Sequence, residues 1–115
     1  MNVLIVEDNA AIARAIEKSL RAHGHAISVV GSAAAARSAS DAFDVGVFDI
    51  SLPDGDGIDL AEELLAERLV RHVLFFSGVV DDDMIDRAKL TGRVLPKDQS
   101  FSDLHRVILE MAGGS

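Results

Sequence analysis

Cysteine, tryptophan and tyrosine are absent from the 115-residue chain, and proline occurs only twice. Without cysteine there can be no disulfide, no thiolate zinc site and no thiol nucleophile. The lack agrees with a reducing, cytoplasmic location. The aromatic inventory is five phenylalanines, too sparse a set to make a platform for stacked bases. No apolar run approaches the roughly 18 residues that a membrane helix needs, so a membrane is not expected as a partner. Met1 leads straight into core-like sequence, with no basic stretch and no small-residue cleavage site, so no signal peptide is expected. Positive charge is the scarcer sign: 11 basic side chains face 19 acidic ones, for a formal net charge of −8. The basic residues do not cluster, Arg68 and Arg71 included. Nucleic-acid binding needs a basic stripe that displaces counterions from phosphates, and this chain has none.

What the chain has is apolar mass. Hydrophobic residues make up 49% of it, enough for a core and too many for a disordered segment. The length allows one domain. Val3-Leu4-Ile5-Val6, Val45-Gly46-Val47-Phe48 and Val73-Leu74-Phe75-Phe76 are short unbroken runs, Ile27 to Val30 is another with one Ser in it, and Val94-Leu95 is a fifth, at an edge. Unbroken runs of this kind belong to strands buried on both faces of a parallel sheet.

Helical patterns fill the intervals. Ile12, Ile16 and Leu20 repeat at i+4, and Gly24 stands where a left-handed cap would end the helix. Ser32 can cap the Ala-rich stretch Ala33 to Ala39, and Leu60, Leu64 and Leu65 mark a third helix after Gly57. Met84, Ile85 and Ala88 predict a brief fourth helix with Asp81, Asp82 and Asp83 at its positive end. Ser100 and Asp103 form a capping pattern ahead of Leu104, Val107, Ile108 and Met111. The expectation is an α/β (βα)5 domain over residues 1–112, with 113–115 as a flexible tail.

The polar residues follow the strands. Glu7 and Asp8 come directly after the first, Asp49 after the third, Ser77 after the fourth and Lys97 just after the fifth. Open parallel sheets bind ligands beyond the carboxyl ends of their strands, so these residues converge on one edge. Clustered carboxylates repel one another unless a cation sits among them. Hard oxygen ligands in small number suit Mg²⁺, with Mn²⁺ the alternative. An Asp carboxylate beside such an ion can act as a nucleophile toward a phosphoryl group, with Ser77 and Lys97 binding its spare oxygens.

Over nearly its whole length the sequence resembles the receiver domain of bacterial response regulators, the CheY-like family. The resemblance is carried by Val3 to Asp8, by Val47-Phe48-Asp49-Ile50-Ser51-Leu52-Pro53-Asp54-Gly55-Asp56-Gly57, by Phe75-Phe76-Ser77-Gly78, and by Lys97. The Asp49 segment is similar to the family's D-x-x-L-P-x-x-x-G loop. The resemblance implies a flavodoxin-like, doubly wound fold with a five-stranded parallel sheet. It implies that Asp49 is the phosphoacceptor, served by a partner histidine kinase or phosphotransfer protein. It further implies that Glu7, Asp8, Asp49 and the backbone carbonyl of Ser51 hold Mg²⁺, and that Ser77 and Lys97 engage the phosphoryl group. The protein implied is a cytoplasmic signalling switch with an unknown output partner, not an enzyme, and a monomer or weak homodimer. It is either a single-domain regulator or a receiver cut from a larger regulator or hybrid kinase.

Two positions depart from the family pattern. Asp98, not proline, follows Lys97, so a trans peptide is expected there, since a cis bond before a non-proline residue costs about 2.5–4 kcal/mol. Val94 stands where an aromatic switch residue is usual, and it has no ring to move. Signalling is therefore expected to pass through residues 78–90 rather than 93–96.

Simpler readings stand beside these. Asp8 can cap the first helix, Ser77-Gly78 can mark a turn, and Lys97 can be a surface lysine. Asp54 to Asp59 fails the calcium-loop pattern, because Ile58 and Leu65 occupy ligand positions, and reads as a solvated turn. The four histidines, His23, His25, His72 and His105, show no ligand spacing. A Mg²⁺-dependent aspartyl-phosphate phosphatase of the haloacid dehalogenase type needs a second Asp two residues after the nucleophile, and that residue is Ser51. A degenerate receiver acting by binding alone would lack the acids or the lysine, which are all present.

Overall fold

The first apolar run becomes β1 (Asn2–Val6), with all but its first residue buried, in a computed structural model that describes residues 1–39, 41–78 and 81–113. There follow α1 (Ala10–Arg21), β2 (Ala26–Val30), α2 (Ala33–Arg37), β3 (Phe43–Phe48), a two-strand hairpin β4 (Ser51–Leu52) and β5 (Gly55–Asp56), α3 (Gly57–Ala66), β6 (Val70–Ser77), α4 (Asp82–Thr91), β7 (Arg93–Pro96) and α5 (Phe101–Gly113). The main sheet has five strands in the order β2-β1-β3-β6-β7, and all of its pairings are parallel. This is the expected doubly wound (βα)5 fold.

Strand alternation sends side chains to two cores. Val3, Ile5, Val45, Val47, Leu74 and Phe76 meet Ile16 and Leu20 of α1 and Leu104, Val107 and Ile108 of α5. Leu4, Val6, Phe48, Val73 and Phe75 meet α2, α3 and α4 on the opposite face. The later residues of β1, β3 and β6 are buried on both faces, which is why their apolar runs are continuous rather than alternating.

Caps set the helix ends. Asn9, not Asp8, caps α1, its Oδ1 accepting from the backbone N–H groups of Ala11 and Ile12 at 3.1 Å each. Gly24 takes φ +87°, the left-handed conformation that ends α1. Ser100 and Asp103 form the capping pair ahead of α5, with the Asp103 N–H donating to Ser100 Oγ at 3.1 Å. Lys97–Asp98 is trans, as expected; no cis peptide occurs among the described residues.

Several expectations change. The fourth helix is not brief but ten residues long. Its packing is thin, with only Ala88 buried, but Arg87 pairs with Asp56 at 2.9 Å and with Asp59, both at the start of α3. Those ion pairs take the place of apolar anchors that the sequence lacks. Helix α5 includes Gly113, which was expected in the tail; Gly114 and Ser115 lie outside the described residues, as do Val79 and Val80 after Ser77. The turn at Asp54 is not merely solvated: its carboxylate accepts from the N–H groups of Ala33 at 2.8 Å and Ala34 at 3.0 Å, capping the five-residue α2 from outside. Three of the four histidines also meet, although their spacing suggested nothing.

Candidate functional site

Parallel register decides which residues share the carboxyl edge of the sheet. Val6 pairs with Phe48 and Phe48 with Phe75, so the residues that follow β1 and β3 leave the sheet side by side. The Asp49 N–H donates to the Val6 carbonyl at 2.9 Å, and the Glu7 N–H to the Val30 carbonyl at 3.0 Å. On the other side Ser77 pairs with Pro96, and the Lys97 N–H donates to the Ser77 carbonyl at 3.1 Å. Backbone hydrogen bonds thus fix all four positions before side chains are considered.

The side chains then converge. Glu7 (4% exposed), Asp49 (8%) and Ser77 (4%) are the buried polar residues among those described. A core that hides three polar groups and places all of them at one point has put them there together. Lys97 Nζ lies 2.7 Å from Glu7 Oε1 and 3.0 Å from Asp49 Oδ2. This answers the surface reading of Lys97. The other oxygen of Asp49, Oδ1, accepts from the Ser51 N–H at 3.2 Å and from Ser77 Oγ at 3.5 Å. Glu7 Oε2 accepts from the Asn9 N–H at 3.2 Å. Ligand oxygens of Glu7, Asp8 and Asp49 all lie within 4.8 Å of one another, with Asp8 exposed at the mouth.

Burial pushes the Glu7 carboxyl above the usual glutamate range, and the Lys97 ammonium opposes that rise without cancelling it. For Lys97 burial acts to lower the value, and the hydrogen bonds to Glu7 and Asp49 outweigh it, so the ammonium holds its proton more firmly than a free lysine. One ammonium set against three carboxylates leaves two negative charges unbalanced. A hard divalent cation supplies that balance, and an all-oxygen set of this size is what Mg²⁺ or Mn²⁺ takes. The residues present fit such an ion.

Some contributors were missing from the sequence reading. Asn9 was not singled out in the sequence, where Asp8 was the candidate cap; it caps α1 and its N–H supports Glu7. Gly57 donates its N–H to the Ile50 carbonyl at 2.7 Å, pressing α3 against the segment that carries Asp49. Asp56 caps α3 through Ile58 N–H at 2.7 Å while it holds Arg87. Asp56 also pairs with Ser51 across the hairpin.

The response regulator receiver domain is the family whose profile matches this chain, over residues 3–109. The transcriptional regulatory protein PdtaR of Mycobacterium tuberculosis is 32% identical over 109 residues, which cover 89% of this chain and 52% of PdtaR. The chain therefore spans about half the length of that relative. Among solved structures, a CheY-like receiver domain protein from Methanospirillum hungatei superposes with a TM-score of 0.88 at 24% identity, covering 97% of this chain and 93% of that one. The receiver domain of sensor histidine kinase PA1611 from Pseudomonas aeruginosa, a structure with a magnesium ion coordinated in its active-site cleft, gives 0.84 at 26% identity and covers 98% of each chain. The chain belongs to the response regulator receiver family. It is the receiver domain of a two-component signalling protein.

Proposed function

We propose that this receiver is a phosphorylatable switch with Asp49 as its phosphoacceptor. The observation that carries the reading is the setting of Asp49: a buried carboxylate held by the Lys97 ammonium at 3.0 Å, with Glu7 and Asp8 within 4.8 Å. In the transfer an Asp49 carboxylate oxygen forms a bond to phosphorus as the bond from phosphorus to the donor nitrogen or oxygen breaks. The donor leaves with that electron pair. Lys97 offsets charge on the phosphoryl oxygens, and the Ser77 hydroxyl donates to one of them. Glu7, Asp8, Asp49 and the Ser51 carbonyl would hold Mg²⁺, which when bound supplies neutralising charge for the approach of an anionic donor to an anionic site.

The natural donor on this reading is the phosphohistidine of a histidine kinase or phosphotransfer protein. The protein works in the cytoplasm and turns over no substrate of its own. Its signal is read by a partner or a further domain outside these 115 residues. Incubation with Mg²⁺ and acetyl phosphate, followed by intact mass measurement, tests the chemistry. One phosphoryl adduct is expected, lost in Asp49→Asn and lost on chelation. An adduct that survives Asp49→Asn overturns the assignment.

A further inference from the structure

Basic residues that are scattered in the sequence gather at the pole of the fold away from Asp49, where α3 and α4 end and β6 and β7 begin. Two adjoining grooves of about 460 and 390 Å³ open there, with Leu65 and Arg71 as their common wall. Arg68, Arg71, Lys89 and Arg93 line them, and among the described residues no carboxylate does. On a chain of net charge −8 that is a local reversal of sign. Arg93 is held by Glu110 at 3.0 Å. Arg68, Arg71 and Lys89 have no ion pair among the described residues, whereas Arg21, Arg37, Arg87, Lys97 and Arg106 each have a carboxylate. Glu62 of the flanking helix α3 is drawn to Arg87 instead, at 3.6 Å.

Two further observations mark the same place. The Arg68 N–H donates to the Leu65 carbonyl at 3.0 Å and the Leu69 N–H to the Leu64 carbonyl at 2.9 Å. This pair of bonds closes a helix on a left-handed residue, most often glycine. Arg68 occupies that position at φ +62°, the one non-glycine residue with positive φ among those described. Glycine would sit there without steric penalty, so the chain bears strain at the residue that places a guanidinium in the groove. The second observation is apolar. Leu90, 89% exposed and the most open large hydrophobic residue among those described, borders the groove beside half-buried Leu65 and Met111.

We propose that this groove docks an acidic segment of a partner protein, one that carries bulky apolar residues between its carboxylates. Charge complementarity names the occupant, since a cleft lined by one sign of charge gathers the other. The guanidinium forks of Arg68 and Arg71 suit carboxylates taken two oxygens at a time, and Lys89 adds a point charge. Leu90, with Leu65 and Met111, receives the apolar side chain, as the dry centre of such an interface requires. A nucleic acid fits less well. The groove offers no aromatic ring beyond His72 for a base to stack on, and a long polyanion meets the repulsion of the acidic faces around it. Docking at this pole leaves the Asp49 cleft, at the other end of the sheet, open.

The test is fluorescence anisotropy of the whole chain with a labelled peptide of about twelve residues repeating Glu-Glu-Leu, in about 50 mM salt to limit screening. One saturable site is expected, weakened about fivefold or more in the double variant Arg71→Gln, Lys89→Gln and about threefold in Leu90→Ser. Arg14→Gln, which removes a cation of α1 outside the groove, should leave binding within about twofold. All these side chains are exposed, so each variant should fold. Arg68→Gly separates docking from stability: it should raise the melting temperature by about 4 °C while it weakens binding. Peptides repeating Gln-Gln-Leu or Glu-Glu-Ser lack half of the chemistry and should bind about fivefold more weakly or worse. No readout involves phosphorylation of Asp49. Absence of saturable binding, binding indifferent to Arg71 and Lys89, equal binding of the Gln-Gln-Leu peptide, or tighter binding of a thymidine oligonucleotide of the same length each overturns the proposal.

Discussion

Replacing Gly57 by alanine should damage the domain more than any surface substitution, and the damage should reach Asp49 first. A Cβ at Gly57 would lie 1.9 Å from the Asp49 carbonyl oxygen, 2.9 Å from its carbon and 3.0 Å from Ile50 Cα. All three are backbone atoms, so no rotamer change relieves the contact. Ordinary carbon–oxygen contact begins near 3.2 Å, so α3 and the end of β3 have to separate by about 1 Å or more. The Gly57–Ile50 hydrogen bond of 2.7 Å resists that separation. Overpacking costs about 1–3 kcal/mol and more when only backbone can yield, so a loss of about 3 kcal/mol is the expectation. At about 2.1 cal/mol/K per residue, the unfolding entropy converts this to a fall of about 12 °C in melting temperature. Gly55→Ala is the control: its Cβ would sit 3.9 Å from Ala33 Cβ, an ordinary contact, with an expected effect within about 1 kcal/mol. Thermal and urea denaturation followed by circular dichroism measure both. Labelling by acetyl phosphate, taken well below the melting point, should fall in Gly57→Ala and persist in Gly55→Ala. Equal melting temperatures for the two variants would refute the steric argument.

Asp8 is exposed and outside the Lys97 ion pairs, so Asp8→Asn should leave the metal-free melting temperature nearly unchanged. It should abolish the rise produced by added Mg²⁺, as differential scanning calorimetry would show. The His25 and His105 rings have folded-state values below the ordinary 6.5, through burial first and neighbouring positive groups second. Between those lowered values and 6.5 the unfolded chain binds more protons, so their contribution is complete above pH 6.5 and is lost as pH falls below it. Urea midpoints should therefore decline from pH 7 to 5.5 in the wild type and less steeply in His105→Gln; equal slopes contradict the assignment. Arg87→Ala removes the pairs to Asp56 and Asp59, and hydrogen exchange across Asp82–Thr91 should accelerate while α1 stays as it was. With beryllofluoride as phosphoryl mimic, protection should change more in residues 81–90 than in 93–96; the reverse order rejects transmission through α4.

The sheet and the acids were legible because each rests on a local signal. Val3 to Val6 and Val73 to Phe76 are continuous apolar runs, and only a strand covered on both faces needs them. Once the strands are placed, parallel register brings Glu7, Asp49, Ser77 and Lys97 to one edge without further information. The hairpin was not legible, since two-residue strands carry no periodicity. The length of α4 was missed for a different reason. Its apolar pattern is poor, and what secures it is Arg87 reaching Asp56 and Asp59, about thirty residues earlier in the chain. The histidine cluster is the extreme case, because His25 and His105 meet only after α5 docks on the sheet. Spacing rules read contacts within one element, and this pair comes from two.

The hairpin gives Asp49 a mechanical connection that does not depend on β7. On one side Asp54 takes the two leading N–H groups of α2, and Arg37 of that helix pairs with Glu63 of α3 at 2.8 Å. On the other side Asp56 caps α3 and holds Arg87 of α4. Between them Ser51 donates its N–H to Asp49 and pairs with Asp56. A displacement of the Asp49 carboxylate therefore reaches Ser51 by a hydrogen bond, Asp56 across one strand pair, and α4 through a guanidinium. Val94 lies partly buried in the α4 face of the core, β-branched and confined to few rotamers. It can transmit pressure but cannot swing between an inward and an outward position. The ionic path through Asp56 and Arg87 can break and re-form, which a switch requires and a packed valine does not provide. Its strength is screened by salt, so the coupling between the acidic cleft and α4 should weaken as ionic strength rises, while a path through buried apolar contacts should not. Repeating the beryllofluoride exchange experiment at low and high salt separates the two: equal protection of α4 at both would rule out the Arg87 route.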